Sequence, residues 1–340
     1  MFKNNPALVA EISANHNGSL KQAKELMKMA KKNNADAVKL QTFDENSMTL
    51  NSNKKNFLVK KGIWKGYSLW KLYRKGKTPY SWHKELFDFS KKIGIKCFSS
   101  PFDNNAVEFL EQLNCPIYKL ASFEITDIPL IESIAQTKKP VIISTGMANI
   151  KEIDYAYNTL IKNGSKKIAI LYCVSSYPSK ISDFNMNNIK FLRNRYNCAI
   201  GFSDHSTDDR VAIAASVLGA EIFEKHIALP KQKKGLDVEF SLKGDEIKNY
   251  KNNITLAKKI LGKDGFFRKK NEQKNLIYRR SLYAVRNIEK GEKFTINNLK
   301  ALRPKIGLDP IFIKKLIGKK SRIKIKESTS INKKLIKKII

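Results

Sequence analysis

The chain has few of the residues that would mark several common protein classes. Only four of its 340 residues are cysteine. Cys97, Cys115, Cys173 and Cys198 lie far apart, mostly inside apolar runs and with no CxxC spacing, so they read as reduced, buried thiols of a cytoplasmic protein. No run of about 18 apolar residues occurs, which excludes a membrane-spanning helix. The opening "MFKNNPALVAEIS" lacks the layout of a secretory signal and passes straight into strand-like sequence. Acidic residues are scarce: 31 Asp and Glu face 65 Lys and Arg, a formal net charge of +34. Such a charge suits either a nucleic-acid binder or an enzyme that attracts anionic substrates. The excess is mostly Lys spread along helix-like segments, and no aromatic-interleaved basic motif appears, which argues against nucleic acid. Histidine is rare too, with four in the chain.

What is present is a repeating alternation. Eight apolar strand-like runs can be read in order: "ALVAEIS", "DAVKLQTF", "IKCFSSPF", "IYKLASFE", "PVIISTGM", "KIAILYCVSS", "CAIGFSDHS" and "EIFEKHIAL". Segments of helical period lie between them, among them 20–32, 106–113, 151–161 and 210–218, with a last helix near 246–261. Continuous apolar strands alternating with helices predict a parallel sheet covered by helices. Eight units over about 260 residues predict a closed (β/α)8 TIM barrel. The barrel domain is expected over 1–265, a linker over 266–280 and a small, mainly β module over 281–340. Residues 51 to about 80 form an aromatic-rich insertion, longer than an ordinary connection, expected to fold over the barrel mouth.

Polar residues recur at one place in this pattern. Glu11, Lys39 with Gln41, Ser99 with Ser100, Ser122 with Glu124, Ser144, Ser175, His205 and His226 all lie in the later part of their strands or just beyond. In a barrel those ends converge on one face, where such folds place their chemistry. A Lys embedded in a strand is the strongest of these signals, because its burial without an anion is costly. Lys39 and Lys119 both qualify.

The motifs "AEISANHNGS", "DAVKLQTF", "FSSPF", "YKLASFE", "ISTGM", "GFSDHS" and "FEKHI", followed by "RRSLYA", "IEKGE" and "LRPKIGL", resemble the sialic acid synthase family. The later three resemble its C-terminal antifreeze-like (SAF) domain. The insertion, above all "KTPYSWH", looks like the pseudaminic acid branch of that family. The resemblance implies condensation of phosphoenolpyruvate with an N-acetylated amino sugar, for this branch 2,4-diacetamido-2,4,6-trideoxy-L-altrose. Phosphate is released, and the product is a nine-carbon sugar acid of bacterial surfaces and flagella. A synthase of N-acetylneuraminic or legionaminic acid is the alternative among enzymes. A catalytically silent sugar- or nucleic-acid-binding module is the alternative outside them.

The resemblance also implies roles. His205 and His226 match the family's ligands for a divalent metal, Mn²⁺ or Mg²⁺. Lys39, Ser100, Lys119, Ser122, Ser144 and Ser203 match positions that bind phosphoenolpyruvate. Glu124 is expected to activate water, with Glu11 the next candidate. Glu11 and Asp237 resemble positions that hold sugar hydroxyls, with Gln41 and Tyr177 as further sugar-side candidates. Arg303 of the SAF domain is expected to reach the sugar's N-acetyl group across a homodimer, each small domain covering the partner's barrel. Neither nucleic acid nor membrane is expected as a partner. Two departures stand out: Val174 occupies a position that is usually a polar Asn in the N-acetylneuraminate enzymes, and the tail "KIKESTSINKKLIKKII" lacks the family's clear final strand.

Overall fold

The structure, a computed structural model, describes residues 1–2 and 5–335. Its chain divides into two compact units, Met1–Gly262 and a second that begins at Lys263.

The first unit is the barrel. Its strands are β1 (Ala7–Glu11), β2 (Ala37–Thr42), β3 (Lys96–Pro101), β4 (Tyr118–Leu120), β5 (Val141–Ser144), β6 (Ile168–Cys173), β7 (Ala199–Asp204) and β8 (Ile222–Ala228). Each pairs in parallel with the next, and β8 returns to β1 with Ala7 opposite Ile222 and Glu11 opposite His226. Strands such as β5 and β6 are buried along their whole length, as expected for a sheet enclosed on both faces. A short β9 (Leu242–Lys243) pairs in parallel with the end of β8, Leu242 opposite Ile227.

The helices begin where local chemistry satisfies their first N–H groups. Asp103 caps the helix Asn104–Gln112, Asp208 caps Asp209–Val217, and Asn149 with Glu152 forms a capping box at Ile150–Lys162. β7 approaches its neighbours closely at Gly201, where a Cβ would lie 2.2 Å from the Ile222 carbonyl oxygen and 2.5 Å from Leu171 Cδ2. Only glycine fits there.

The fourth strand is shorter than "IYKLASFE" suggests. After Leu120 the chain leaves the sheet and winds into a 3-10 turn, Ser122–Glu124, which lifts Glu124 over the barrel mouth. The insertion contains a short antiparallel bridge, Leu58 to Ser68, and the helix Leu69–Gly76.

The second unit carries two antiparallel strands, β10 (Ser281–Ala284) and β11 (Leu299–Leu302). Isolated bridges add Ile288 to Ile325 and Lys293 to Lys320. Its own core includes Leu282, Ile288, Phe294, Leu299, Ile325 and Ile331. The atypical tail takes part: Ile331 is fully buried, donates its N–H to the Leu282 carbonyl at 2.9 Å and accepts from Leu308 N–H at 2.7 Å. The last five residues of that tail lie outside the described residues. Over 266–280 the chain forms two short helical turns, Lys270–Gln273 and Lys274–Tyr278, with no buried residue.

Candidate active site

A cavity of about 410 Å³ opens where the C-terminal ends of the strands converge. Lys39, Gln41, Ser100, Lys119, Ser122, Glu124, Ser144, Tyr177, Ser203, His205, His226 and Asp237 all line it. Of the residues given a role by the resemblance, two stand elsewhere. Glu11 is fully buried behind the lining, and Arg303 is an exposed residue of the second unit.

The floor is a charge cluster built by strand alternation. Lys39 Nζ ion-pairs with Glu11 Oε2, lies 3.7 Å from Glu224 Oε1 and donates to Ser100 Oγ at 3.2 Å. Glu224 sits on β8 opposite Val9 and Ser203, two residues before His226, so both β8 side chains face the cavity. Sequence reasoning passed over Glu224. The period of two in "FEKHI" carried the signal, because any inward His226 makes Glu224 inward as well. Burial opposes the charge on Glu224, but Lys39, Lys119 and His205 outweigh it and hold its carboxyl below the usual range. Burial pushes Glu11 up to about 7 against the pull of Lys39, and it lowers the ammonium pKa of Lys119. Lys119 Nζ donates to the Leu120 carbonyl at 2.9 Å.

Several buried polar atoms of the lining make no hydrogen bond among the described residues: Glu124 Oε2, Ser144 Oγ, Glu224 Oε2 and His226 Nδ1. Unpaired buried polar atoms are costly and rare in folded proteins. Their concentration around one cavity marks a surface made for a polar ligand. Ser122 Oγ accepts from Gly146 N–H at 3.1 Å, which ties the β4 and β5 ends together. Burial, against the attraction of Lys119, raises Glu124 to about 7, a value suited to exchanging protons near neutrality.

His205 and His226 face each other with ring centroids 5.4 Å apart. Nδ1 of His205 lies 3.1 Å from the Val174 carbonyl, which fixes a proton on that nitrogen and leaves Nε2 to carry the neutral ring's lone pair. Val174 thus offers its main-chain carbonyl to His205, while its side chain brings no donor where the N-acetylneuraminate enzymes usually carry Asn. Burial and the nearby His205, Lys39 and Lys225 hold His226 well below the usual imidazole range, hence neutral. His205 differs: burial lowers its pKa, but Cys173 and the Val174 carbonyl outweigh that and raise it above the usual imidazole value, so its Nε2 would give up a proton when a cation binds. Neutral His226, with its unpartnered nitrogen, and a deprotonated His205 fit a divalent cation that takes its other ligands from substrate and water. No group of three or more His, Cys, Asp or Glu side chains that could hold a metal occurs among the described residues. The other two histidines, His16 and His83, are buried with hydrogen-bonding partners at Thr78 and Thr42 and read as core residues.

Asp237 accepts from Ser13 Oγ at 2.6 Å and lies 3.7 Å from His226 Nδ1. Tyr177 packs on His205 with centroids 4.5 Å apart. Asp204, between Ser203 and His205, turns the other way. It accepts from Tyr250 Oη at 3.0 Å and Ser206 N–H at 2.8 Å and pairs with Lys225 at 3.2 Å. It fixes the β7 end and leaves the chemistry to its neighbours. From the insertion and the β8 loop, Val59, Trp64, Leu69, Leu72, Tyr73 and Phe240 complete the lining. Their aromatic content was visible in the sequence, but no periodicity told which of them face inward.

The NeuB family model matches residues 26–265, and the SAF domain model matches 279–337. The chain is 41% identical to a pseudaminic acid synthase of Campylobacter jejuni, over 94% of this chain and 93% of that protein. It is 37% identical to an N,N'-diacetyllegionaminic acid synthase of the same species, over 92% and 94%. Among solved structures, an N-acetylneuraminic acid synthetase from Leptospira borgpetersenii in complex with citrate superposes with a TM-score of 0.73 at 30% identity, covering 81% of this chain and 91% of that one.

Proposed function

The chain belongs to the NeuB family, and from that premise we propose that it condenses phosphoenolpyruvate with 2,4-diacetamido-2,4,6-trideoxy-L-altrose to give pseudaminic acid and phosphate. The observation that carries the reading is the pair of buried lysines, Lys39 and Lys119, on the floor of a cavity where Glu124 Oε2, Ser144 Oγ, Glu224 Oε2 and His226 Nδ1 lack hydrogen-bond partners among the described residues. Phosphoenolpyruvate is the right size and charge for that floor. Lys39 and Lys119 bind its anionic groups through charge-assisted hydrogen bonds, and Ser100, Ser122, Ser144 and Ser203 hold its phosphate and carboxylate oxygens. Glu11 and Glu224 aim and charge Lys39. Asp237, Gln41 and Tyr177 hold the sugar.

The new bond forms between the enol methylene carbon and the aldehyde carbon, and positive character is left on the carbon bearing phosphate. Glu124 takes a proton from the water that adds there, the former aldehyde oxygen gains a proton from solvent, and the tetrahedral adduct collapses to the keto group as its hydroxyl proton leaves with phosphate. His205 and His226 would hold a divalent cation, Mn²⁺ or Mg²⁺, which when bound would supply Lewis-acid polarisation of the aldehyde oxygen. The enzyme acts in the cytoplasm, where phosphoenolpyruvate is made, and no helix among the described residues is long and apolar enough to cross a membrane.

The test is phosphate release with three acceptors, the precursors of pseudaminic, legionaminic and N-acetylneuraminic acid. Turnover is expected to be fastest with the pseudaminic precursor. Preference for either of the others would replace this reading by that sister activity.

In solution the protein acts as a homodimer in which Arg303 of one small domain reaches the N-acetyl group of sugar bound in its partner's barrel. Glu124→Gln and Arg303→Ala variants, each inactive alone, are expected to regain activity when mixed under subunit exchange, because one class of mixed dimer holds an intact site. Absence of recovery despite demonstrated exchange would place Arg303 within its own chain's site or outside catalysis.

A further inference from the structure

Resting on the function just proposed, we infer that the insertion over the barrel mouth is an apolar subsite that selects the acceptor by its methyl groups. The cavity has two kinds of wall. Charged and hydroxyl side chains come from the strand ends, whereas the apolar side is made by Val59, Trp64, Leu69 and Leu72 of the insertion and Leu236 with Phe240 of the loop after β8, joined by phenylalanines just after β2, β3 and β4. Leu69 and Leu72 are three residues apart on the helix Leu69–Gly76 and share one face. On the same helix Lys71, Arg74 and Lys75 are exposed.

The wall is held in place. Trp64 Nε1 donates to the Leu236 carbonyl at 2.8 Å, and its ring lies 5.2 Å from that of Tyr177. Gly76 brings the end of the helix so close to Leu236 that a Cβ would stand 3.3 Å from Leu236 Cδ1. The insertion therefore packs against the far side of the mouth through fixed contacts.

Apolar side chains facing a cavity need an apolar occupant. Phosphoenolpyruvate offers only one methylene among its charges, and an ordinary hexose presents hydroxyls all round. A sugar with a 6-deoxy carbon and two acetamido groups presents three methyls. Against this wall a 6-hydroxyl would lose water and find no partner, so the subsite binds the deoxy carbon and discriminates against the hydroxylated one. The effect of one such group in an apolar pocket is roughly 10- to 100-fold in kcat/KM.

The experiment compares 2,4-diacetamido-2,4,6-trideoxy-L-altrose with its 6-hydroxy counterpart in the wild type and in Leu72→Asn, with Val59→Asn as the second variant. The wild type is expected to favour the deoxy sugar roughly 10- to 100-fold, and each variant to compress that ratio roughly tenfold. KM for phosphoenolpyruvate and the melting temperature report whether each variant has kept its fold. Equal kcat/KM for the two sugars in the wild type, or an unchanged ratio in a folded variant, would overturn the inference. No phosphate release by the wild type with any diacetamido acceptor would overturn the underlying function instead.

Discussion

His226→Ala is expected to lower turnover by about 10³-fold or more, the loss that follows when a polarised carbonyl must react unassisted. His226 is nearly buried, neutral and unpartnered at Nδ1, so its removal should leave the barrel folded. His205→Ala should behave alike, although it also frees the Val174 carbonyl. The measurement is phosphate release across a series of added Mn²⁺ and Mg²⁺, together with calorimetric titration of Mn²⁺ into the metal-stripped protein. Wild type is expected to bind the ion and lose activity in EDTA, and the variants to bind it at least about tenfold more weakly. Full wild-type activity in EDTA, or unaltered Mn²⁺ binding by His226→Ala, would remove both histidines from a metal role.

Glu124→Gln is expected to bind phosphoenolpyruvate normally and to release phosphate at least about 10²-fold more slowly. The argument is one of position and charge. Glu124 stands on the 3-10 turn above the β4 end, its Oε2 buried and unpartnered, and burial raises its pKa to about 7. An acid with that value is protonated below neutrality and an active base above it. Wild-type kcat/KM should therefore rise about tenfold per pH unit below about 7 and level off above it. The residual activity of Glu124→Gln should lose that inflection. If the variant keeps both the rate and the pH profile, Glu124 is not the group that activates water.

The parts of this site that could be read in the sequence are those whose chemistry conflicts with their surroundings. Lys39 and Lys119 stand inside apolar strands, where an ammonium needs anions, and both face one cavity. His205 and His226 end consecutive strands. Residues on the same face whose presence needs no special explanation were harder to find. Glu224 looked like one half of an ordinary Glu–Lys pair, yet Lys225 turns outward to Asp204 while Glu224 turns inward to Lys39. The eight strands were legible because burial on both faces leaves continuous apolar runs. The limit of β4 was not, because "ASFE" is as strand-like in composition as "YKL" and only the turn at Ser122 separates them. The insertion shows the same limit. Its length and aromatic content suggested a cover, but which side chains it points inward depends on tertiary contacts such as Trp64 to Leu236.

The pairing of β1 with β8 carries a consequence for how the chain is made. A ribosome delivers β1 before every other strand of the barrel, yet one edge of that strand has no partner until Ile222–Ala228 emerges. At about 5–20 residues per second, translation leaves that apolar edge open for roughly 10–40 s. Ala7–Glu11 is buried from end to end in the finished protein, so the nascent polypeptide carries a sticky β edge while the rest of the barrel is made. The second unit starts only at Lys263, which lets the ring close while the small domain is still being translated.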